Sequence, residues 1–267
     1  MTTSRASFGI SARWLAAAAL VLVPSLAPAQ EALVTELAGT AHRSSGKAFK
    51  AVRTLDKVAP GEKLVVKAKS RATLFVAAEA ALYEVEGPAE IQVTAKGLRA
   101  AKGKLPAPRK LDDAYRGLKV DTKALAQGSL VMRGSDSARV ESPEGFVEAQ
   151  ASRRFRWSGG PGGWQFELAT DSGELVHRAE AFDGLLELPA EIALKAGTKY
   201  VWGIAPVSEG AKPVDWTEFV VSESPGAPPV PEPGSARSEK LLYAAWLRDK
   251  GMPRAAARML EAGAARP

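Results

Sequence analysis

The most informative segment of this 267-residue chain reads Leu194-Lys195-Ala196-Gly197-Thr198-Lys199-Tyr200-Val201-Trp202. It leads into one of several short apolar runs that alternate with turn signals between Ala138 and Ser222, a spacing that suits a β-sandwich. One of those turns, Asp171-Ser172-Gly173, predicts a tight hairpin. The expected strands are Ala138–Glu141, Gly145–Ala149, Arg153–Trp157, Trp164–Thr170, Leu175–Ala181, Gly184–Leu188, Lys199–Pro206 and Thr217–Val221.

Residues 194–202 resemble the "L-x-x-G-T-x-Y-x-V" segment of fibronectin type III domains. In that family the tyrosine, here Tyr200, forms a corner and bonds back to nearby backbone. Phe155-x-Trp157 is similar to the region of the buried B-strand tryptophan of the same family. The resemblance implies a fibronectin type III-like sandwich over residues 135–222.

A first module, at residues 30–134, is also built from short strands. Its expected strands end at turn signals such as Ala59-Pro60-Gly61 and Gly87-Pro88. Many short strands at close spacing favour an all-β sandwich, roll or short solenoid. The expected strands are Ala32–Ala41, Lys63–Lys67, Ala72–Ala78, Ala81–Glu86 and Glu90–Thr94.

The order of motifs in this first module resembles the FecR domain. That family has a "G-x-V" strand, a "G-[DE]-x-[LI]" turn and an "[ST]-R-A-x-[LV]" strand, matched here at residues 34–41, 58–64 and 70–75 and followed by residues 83–91. The resemblance implies a periplasmic β-rich module associated with sensing or envelope signalling. The chain lacks the cytoplasmic domain and membrane-spanning helix of the signalling regulators, so we do not expect direct control of a sigma factor.

Residues 1–29 have the pattern of an export signal. Arg5 and Arg13 form a positive region, an apolar run follows from Trp14 to Leu26, and Ala27-Pro28-Ala29 offers a cleavage site. We expect a soluble periplasmic product with no membrane insertion after cleavage. A single-pass anchor is the alternative, but the uninterrupted apolar stretch is shorter than the roughly 20 residues that a spanning helix needs.

Charge separates the two modules. Residues 30–134 contain 19 Lys and Arg against 11 Asp and Glu, a net charge of +8, whereas residues 135–222 contain 8 against 14, a net charge of −6. Opposite blocks of this kind indicate separate modules. Residues 223–237, rich in proline and glycine, then predict an extended linker.

The strongest concentration of positive charge lies at residues 96–110, which contain no acid. Such a segment can attract an anionic envelope component, such as a phosphorylated glycan or a lipid headgroup; the alternative is a solvated hairpin and loop. For the whole chain, the expected partner is an envelope protein or an anionic glycan. Nucleic acid is excluded, because interleaved aromatics are missing and export removes the chain from the genome. The candidate contacts are Lys96, Arg99, Lys102, Lys104, Arg109 and Lys110.

Aromatic residues of the second module fall into two groups. Trp157, Tyr200 and Trp202 occupy expected core positions, where each contributes by burial. Trp164 and Trp216 lie near expected loops. These two are therefore candidate sugar-stacking residues.

The tail at residues 238–264 predicts a helical pair. Ser238 is the expected N-cap of the first helix, Gly251 ends it and Pro253 begins the second. The pair resembles one tetratricopeptide-type unit, and a single unit rarely buries its apolar face alone. That face, with Leu242 and Trp246, must therefore dock on the chain's own β domains or on a partner.

The end of the first module has a weaker pattern. Residues 111–133 predict a short helix followed by a strand at Ser129–Met132.

No motif for catalysis, metal or cofactor binding is present. The chain has no cysteine, and its two histidines, His42 and His177, lack ligand spacing. Glu84 and Glu86 share one face of an expected strand, which favours a solvated edge over a paired-carboxylate hydrolase. We expect a non-catalytic periplasmic adaptor or sensor-associated protein that binds envelope partners. The alternatives are a glycan- or peptidoglycan-binding protein and, third, a hydrolase.

Overall fold

The computed structural model describes residues 31–46, 48–128, 138–159, 162–207, 213–222 and 226–264. Strands make up nearly half of the described residues, and two short helices follow them towards the C-terminal end. The export signal expected at residues 1–29 and the strand expected at residues 129–132 lie outside the described residues. The helix expected just before that strand is α1, Thr122–Gly128.

The first module is a sandwich of two five-stranded sheets. Sheet A has the order β10-β7-β6-β1-β4, and sheet B has the order β3-β2-β5-β8-β9. Neighbouring strands in both sheets are antiparallel. The strands are β1 Ala32–Ala38, β2 Ala41–Ser45, β3 Ala48–Ala51, β4 Lys57–Val58, β5 Lys63–Val66, β6 Arg71–Val76, β7 Ala81–Glu86, β8 Ala89–Thr94, β9 Gly97–Lys102 and β10 Arg109–Lys110.

Sheet A is covered on both faces, which explains the nearly continuous apolar run of β6. Leu74 and Val76 point into the sandwich together with Val85 of β7. Phe75 and Leu82 point the opposite way and are 1% and 0% exposed. Successive strand residues face opposite sides of a sheet, so a second layer must cover the outer face of sheet A.

Turn residues connect the strands of this module by specific contacts. Glu62 accepts a hydrogen bond from the backbone N–H of Ala59 at 2.9 Å, which closes the turn before β5. At Gly87 the chain passes close to its neighbour: a Cβ there would lie 1.8 Å from the carbonyl oxygen of Lys67. Only glycine fits this approach.

The second module is a sandwich of sheet C, with the order β11-β13-β16, and sheet D, with the order β12-β18-β17-β14-β15. All pairs are antiparallel except β12 with β18, which is parallel. Three of the expected strands have the bounds that the sequence predicted. The strands are β11 Ala138–Ser142, β12 Gly145–Glu148, β13 Arg154–Gly159, β14 Trp164–Thr170, β15 Leu175–Ala181, β16 Leu185–Glu187, β17 Lys199–Pro206 and β18 Asp215–Ser222.

Aromatic side chains fill the core of the second module. The ring of Phe155 contacts Phe166 and Trp202 edge-to-face, with centroids 4.8 and 5.1 Å apart. The Trp202 Nε1 donates to the carbonyl oxygen of Pro143 at 2.8 Å. The Tyr200 hydroxyl accepts from the backbone N–H of Lys195, also at 2.8 Å, so the expected bond from this tyrosine to nearby backbone is confirmed.

The covering layer of sheet A is the C-terminal helical pair, α2 Arg237–Asp249 and α3 Pro253–Ala264. Its apolar side chains form one buried cluster with Leu33, Phe75 and Leu82 of sheet A. On the other side the ring of Trp246 packs 4.7 Å from that of Phe146 in the second module. The pair therefore lies between the two sandwiches and contacts both.

The helix ends differ partly from the sequence prediction. The N-cap of α2 is Ala236 rather than Ser238, which is buried in the first turn. Gly251, with φ of +74°, follows α2, and Pro253 is the first residue of α3, as predicted. Among the helices that the structure describes, none has the length and apolar character needed to cross a membrane.

Deletion of residues 223–267 tests the docking of the tail. Removing the helices exposes Leu33, Phe75 and Leu82 to water, so we expect a lower melting temperature and binding of a hydrophobic dye. Calorimetry and dye fluorescence measure both. Val230→Ala, at an exposed linker residue, is the control and should melt like the wild type. Unchanged melting of the truncated protein would contradict internal docking.

Substitutions in β17 test the core of the second module. We expect Trp202→Ala to lower the free energy of unfolding by about 3–5 kcal/mol, because it leaves a cavity and an unpaired carbonyl. Tyr200→Phe should cost about 1–2 kcal/mol by leaving the Lys195 N–H without its acceptor. Val201→Ala, on the half-exposed side of the same strand, should cost less than about 1 kcal/mol. Urea unfolding measures all three, and equal values would refute this assignment of the core.

Candidate binding surface

The predicted basic stretch divides between two surfaces. Lys96 lies in the turn before β9, Arg99 and Lys102 lie on β9, and Lys104 follows it; all four are exposed at the edge of sheet B. Arg109 and Lys110 lie on β10, at the edge of sheet A. The predicted contacts therefore do not form one cluster.

The two cations of β10 are engaged within the chain. Arg109 forms an ion pair with Glu239 of α2. The Lys110 Nζ donates to the carbonyl oxygen of Glu79 at 3.3 Å. Four cations, those at or near β9, therefore remain available at the edge of sheet B.

The strand register shows which other residues share the outer face of sheet B with the cations of this edge. Directly opposite residues of antiparallel strands share a face. One row joins Phe49, Ser44, Lys63, Gln92 and Arg99, one residue from each of the five strands. The adjacent row joins Ala51, His42, Val65, Glu90 and Lys102. These ten residues and the flanking Lys96 and Lys104, twelve residues in all, form the basic face.

The basic face carries an excess of positive charge. Its cations are Lys63, Lys96, Arg99, Lys102 and Lys104, and its acid is Glu90. Within the described ranges none of these cations has an oppositely charged partner within 4.0 Å, in contrast to Arg43, Lys57 and Arg71 elsewhere in the first module. Unneutralised cations on one face attract anions from solution.

Three of the predicted contact residues cannot reach a ligand or partner because their side chains are buried in cores. Trp164 is 8% exposed and belongs to the core of the second module, since it begins β14 rather than ending a loop. Leu242 and Trp246 are 0% and 2% exposed, because the helical pair docks on the chain's own β domains. These three assignments as ligand or partner contacts are corrected.

Trp216 is half-buried on β18 and stays a candidate contact. The guanidinium of Arg254 lies 4.0 Å above its ring centre, in cation–π contact. The ring also borders a cavity of about 140 Å³ on sheet D. One face of the indole is thus occupied by the chain itself.

A larger cavity, of about 540 Å³, opens in the first module between sheet A and residues 117–121. Its apolar floor and charged mouth are typical of small-molecule sites. The lining comes from separate segments of the first module, so sequence spacing did not reveal it. The buried lining residues include Leu33, Phe75, Leu118 and Val120, and the exposed ones include Glu31, Lys57, Lys119 and Asp121.

A cluster of hydrogen bonds and an ion pair joins α3 to the second module. The Arg258 side chain, 5% exposed, donates to the carbonyl oxygen of Val140 and, at 2.5 Å, to Oδ2 of Asp215. Glu218 accepts from the backbone N–H groups of Arg254 and Ala255 at 2.6 and 3.2 Å. A carboxylate at the N-terminal turn of a helix satisfies free donors and the helix dipole.

Glu144 lies at the edge of this polar cluster, and the pKa of its carboxyl group is raised. Its Oε2 lies 3.7 Å from Nη1 of Arg258 and is buried without a hydrogen bond from any described residue. Burial raises the pKa of this carboxyl to about 7; Arg258 and Arg139 lower it, while Glu218 and Asp215 raise it further. Burial also raises the pKa of Glu218.

Comparison with known proteins does not assign the chain to a family. Neither a family model nor a curated protein matches it. A solved structure titled "Biofilm associated protein - BSP domain" aligns over 74% of this chain and 25% of its own length, at 9% identity and a TM-score of 0.22. PorZ, described as an essential surface component of the type IX secretion system of Porphyromonas gingivalis, aligns over 66% and 26%, at 13% identity and a TM-score of 0.24. The chain thus spans about a quarter of the length of these structures, and the similarity is too low to support a function.

The pKa of Glu144 predicts how stability depends on pH. The folded state holds a proton on this carboxyl more tightly than the unfolded state, whose pKa is near the ordinary 4.5. Its contribution to stability is therefore full below about pH 4.5 and is lost as pH rises through about 7. We expect Glu144→Gln to remove about 1–3 kcal/mol of the decline in unfolding free energy between pH 5 and pH 8.

Urea unfolding at several pH values measures this difference. Glu148→Gln, at an exposed position of β12, is the matched control and should keep the wild-type profile. Glu218 also has a raised pKa, so part of the decline should remain in Glu144→Gln. An identical profile for Glu144→Gln and the wild type would contradict the prediction.

Proposed function

We propose that this protein is a non-catalytic adaptor of the periplasm that recognises an anionic component of the cell envelope. The observation that carries the proposal is the basic face of sheet B, with its five cations that have no acidic partner among the described residues. Acidic surface proteins and anionic glycans both match this charge. The export signal at residues 1–29 supports an encounter with such components outside the cytoplasm.

A FecR-like identity of the first module is part of this proposal. Two local features of the motif residues support it: Glu62 closes the turn before β5, and Arg71-Ala72 begins β6. Gly39 has a φ of +90° and ends β1 against Ser70. In this reading the module is associated with envelope sensing.

A fibronectin type III-like identity of the second module is the other part. Its three-stranded sheet packed on a larger sheet agrees with the two-sheet architecture of that family. The hydrogen bond from Lys195 to the Tyr200 hydroxyl supports the tyrosine corner. Trp157, on the second strand of sheet C, is buried in the core.

The helical pair gives the adaptor a defined geometry. Because α2 and α3 contact both sandwiches, they limit the movement of one module relative to the other. A tetratricopeptide-type unit that packs against its own chain in this way would act as a spacer between the two modules. The basic face would then be presented at a fixed position relative to the second module.

Capture from an envelope extract tests the proposal. The immobilised wild-type protein should retain a component that is released in about 1 M salt, where the electrostatic screening length falls to about 3 Å. Arg99→Glu combined with Lys102→Glu should lose that component, because two reversals on the basic face repel an anion. Mass spectrometry and carbohydrate analysis of the eluate identify what is retained.

The matched control places the same charge change elsewhere. Arg156→Glu combined with Lys195→Glu reverses two exposed cations of the second module and should leave capture unchanged. Equal capture by the wild type and the Arg99 and Lys102 variant would overturn the proposal. Equal loss in both double variants would show that net charge, rather than the basic face, governs retention.

A further inference from the structure

We propose that the basic face binds an extended polyanionic saccharide, which lies across the strands of sheet B along the row from Phe49 to Arg99. This inference rests on the proposed function, since it concerns the same face. It commits to one chemical class of anion and assigns roles to Phe49, Lys63, Gln92 and Arg99. Phe49, Lys63 and Gln92 lie outside the basic stretch that the sequence singles out.

The row has the dimensions of an extended ligand site. Its five members come from five adjacent strands, and neighbouring strands lie about 4.8 Å apart, so the row is about 19 Å long. Arg99 is exposed at one end and Phe49 at the other, while Lys63 and Gln92 are half-exposed between them. A linear ligand could therefore meet all four along one line.

Phe49 indicates a sugar. Its side chain is 68% exposed on the edge strand β3, at the end of a row whose other members are polar. Sugar rings have apolar C–H faces that pack on aromatic rings and hydroxyl groups that bond to amides. Ser44, which stands between Phe49 and Lys63 in the row, is 8% exposed and adds little contact surface.

The charges indicate that the sugar is anionic. Lys63 and Arg99 lie in the row itself, and Lys102 lies in the adjacent row, three residues farther along β9 and within about 10 Å. Lys96 and Lys104 flank the same edge. Carboxylate, phosphate or sulfate groups spaced along a saccharide can meet these cations in succession.

The direction of the row distinguishes a saccharide from an acidic peptide. An extended peptide docks on an edge strand by adding a strand parallel or antiparallel to it, so its contacts follow β9 or β3. The row runs perpendicular to the strands, where no backbone pairing is available. A ligand that binds by side-chain contacts alone fits this direction.

Binding to a defined probe tests the inference. Oligogalacturonate, a carboxylated saccharide, is titrated into the full chain by calorimetry, beside a neutral malto-oligosaccharide and poly-glutamate of similar length. The wild type should bind oligogalacturonate and not the neutral saccharide. Lys63→Glu combined with Arg99→Glu should weaken binding by roughly tenfold or more, and Phe49→Ala by roughly threefold to tenfold.

Two control variants separate the face from general effects. Phe49→Trp retains an aromatic ring and should retain binding. Arg156→Glu combined with Lys195→Glu should change affinity by less than about twofold. All substituted side chains are exposed or half-exposed, and circular dichroism checks that each variant folds.

Each contrary outcome has a distinct meaning. If poly-glutamate binds as well as oligogalacturonate and Phe49→Ala changes neither affinity, the basic face is a site for acidic proteins, and the saccharide inference is overturned while the adaptor function stands. If no probe binds, or the Lys63 and Arg99 variant matches the wild type, the inference is also overturned. The capture experiment decides separately whether the face recognises any envelope component.

Discussion

The architecture depends on one apolar contact, the burial of the helical pair between the two sandwiches. Leu242 and Trp246 of α2 are 0% and 2% exposed, and each side chain buried in this way contributes about 1.5–3 kcal/mol. Two short helices would be marginal in water by themselves, and the outer face of sheet A would expose Phe75 and Leu82 without them. Each element therefore makes the other stable, and both modules are joined by the same cluster.

The charges of the second module belong to this contact as well. Asp215 forms an ion pair with Arg258, and Glu218 accepts hydrogen bonds from the first turn of α3. Part of the negative charge of residues 135–222 is therefore neutralised by contacts within the chain. The positive charge of the first module behaves differently. Arg109 pairs with Glu239 of the tail, but the cations of the basic face have no such partner among the described residues. Asp215 and Glu218 of the acidic block thus hold the tail, as does Arg109 of the basic block, whereas the cations of the basic face lie towards solvent.

This division shapes the proposed function. In the sequence, the helical pair is a candidate contact for a partner, because its apolar face must be covered. Its apolar face is covered by the chain itself, which leaves the positively charged outer face of sheet B as the candidate contact. A charged surface selects ligands by the complementary spacing of their charges, which agrees with an extended anionic ligand.

The pattern of apolar and turn residues predicts the eight strands of the second module and five of the ten strands of the first, but it misses β2, β3, β4, β9 and β10. Alternation of apolar residues and nearby turn residues act over a few positions, so strands such as Ala81–Glu86 and Lys199–Pro206 have the predicted bounds. The sequence also indicated the core positions of Tyr200 and Trp202. The tertiary structure alone decided which residues meet across strands and which faces are covered, because those contacts join residues far apart in the chain. Register brought Phe49, Lys63, Gln92 and Arg99 into one row. Packing placed Trp164, Leu242 and Trp246 in cores, since the free energy of burying an apolar side chain depends on what lies opposite it and not on its sequence neighbours.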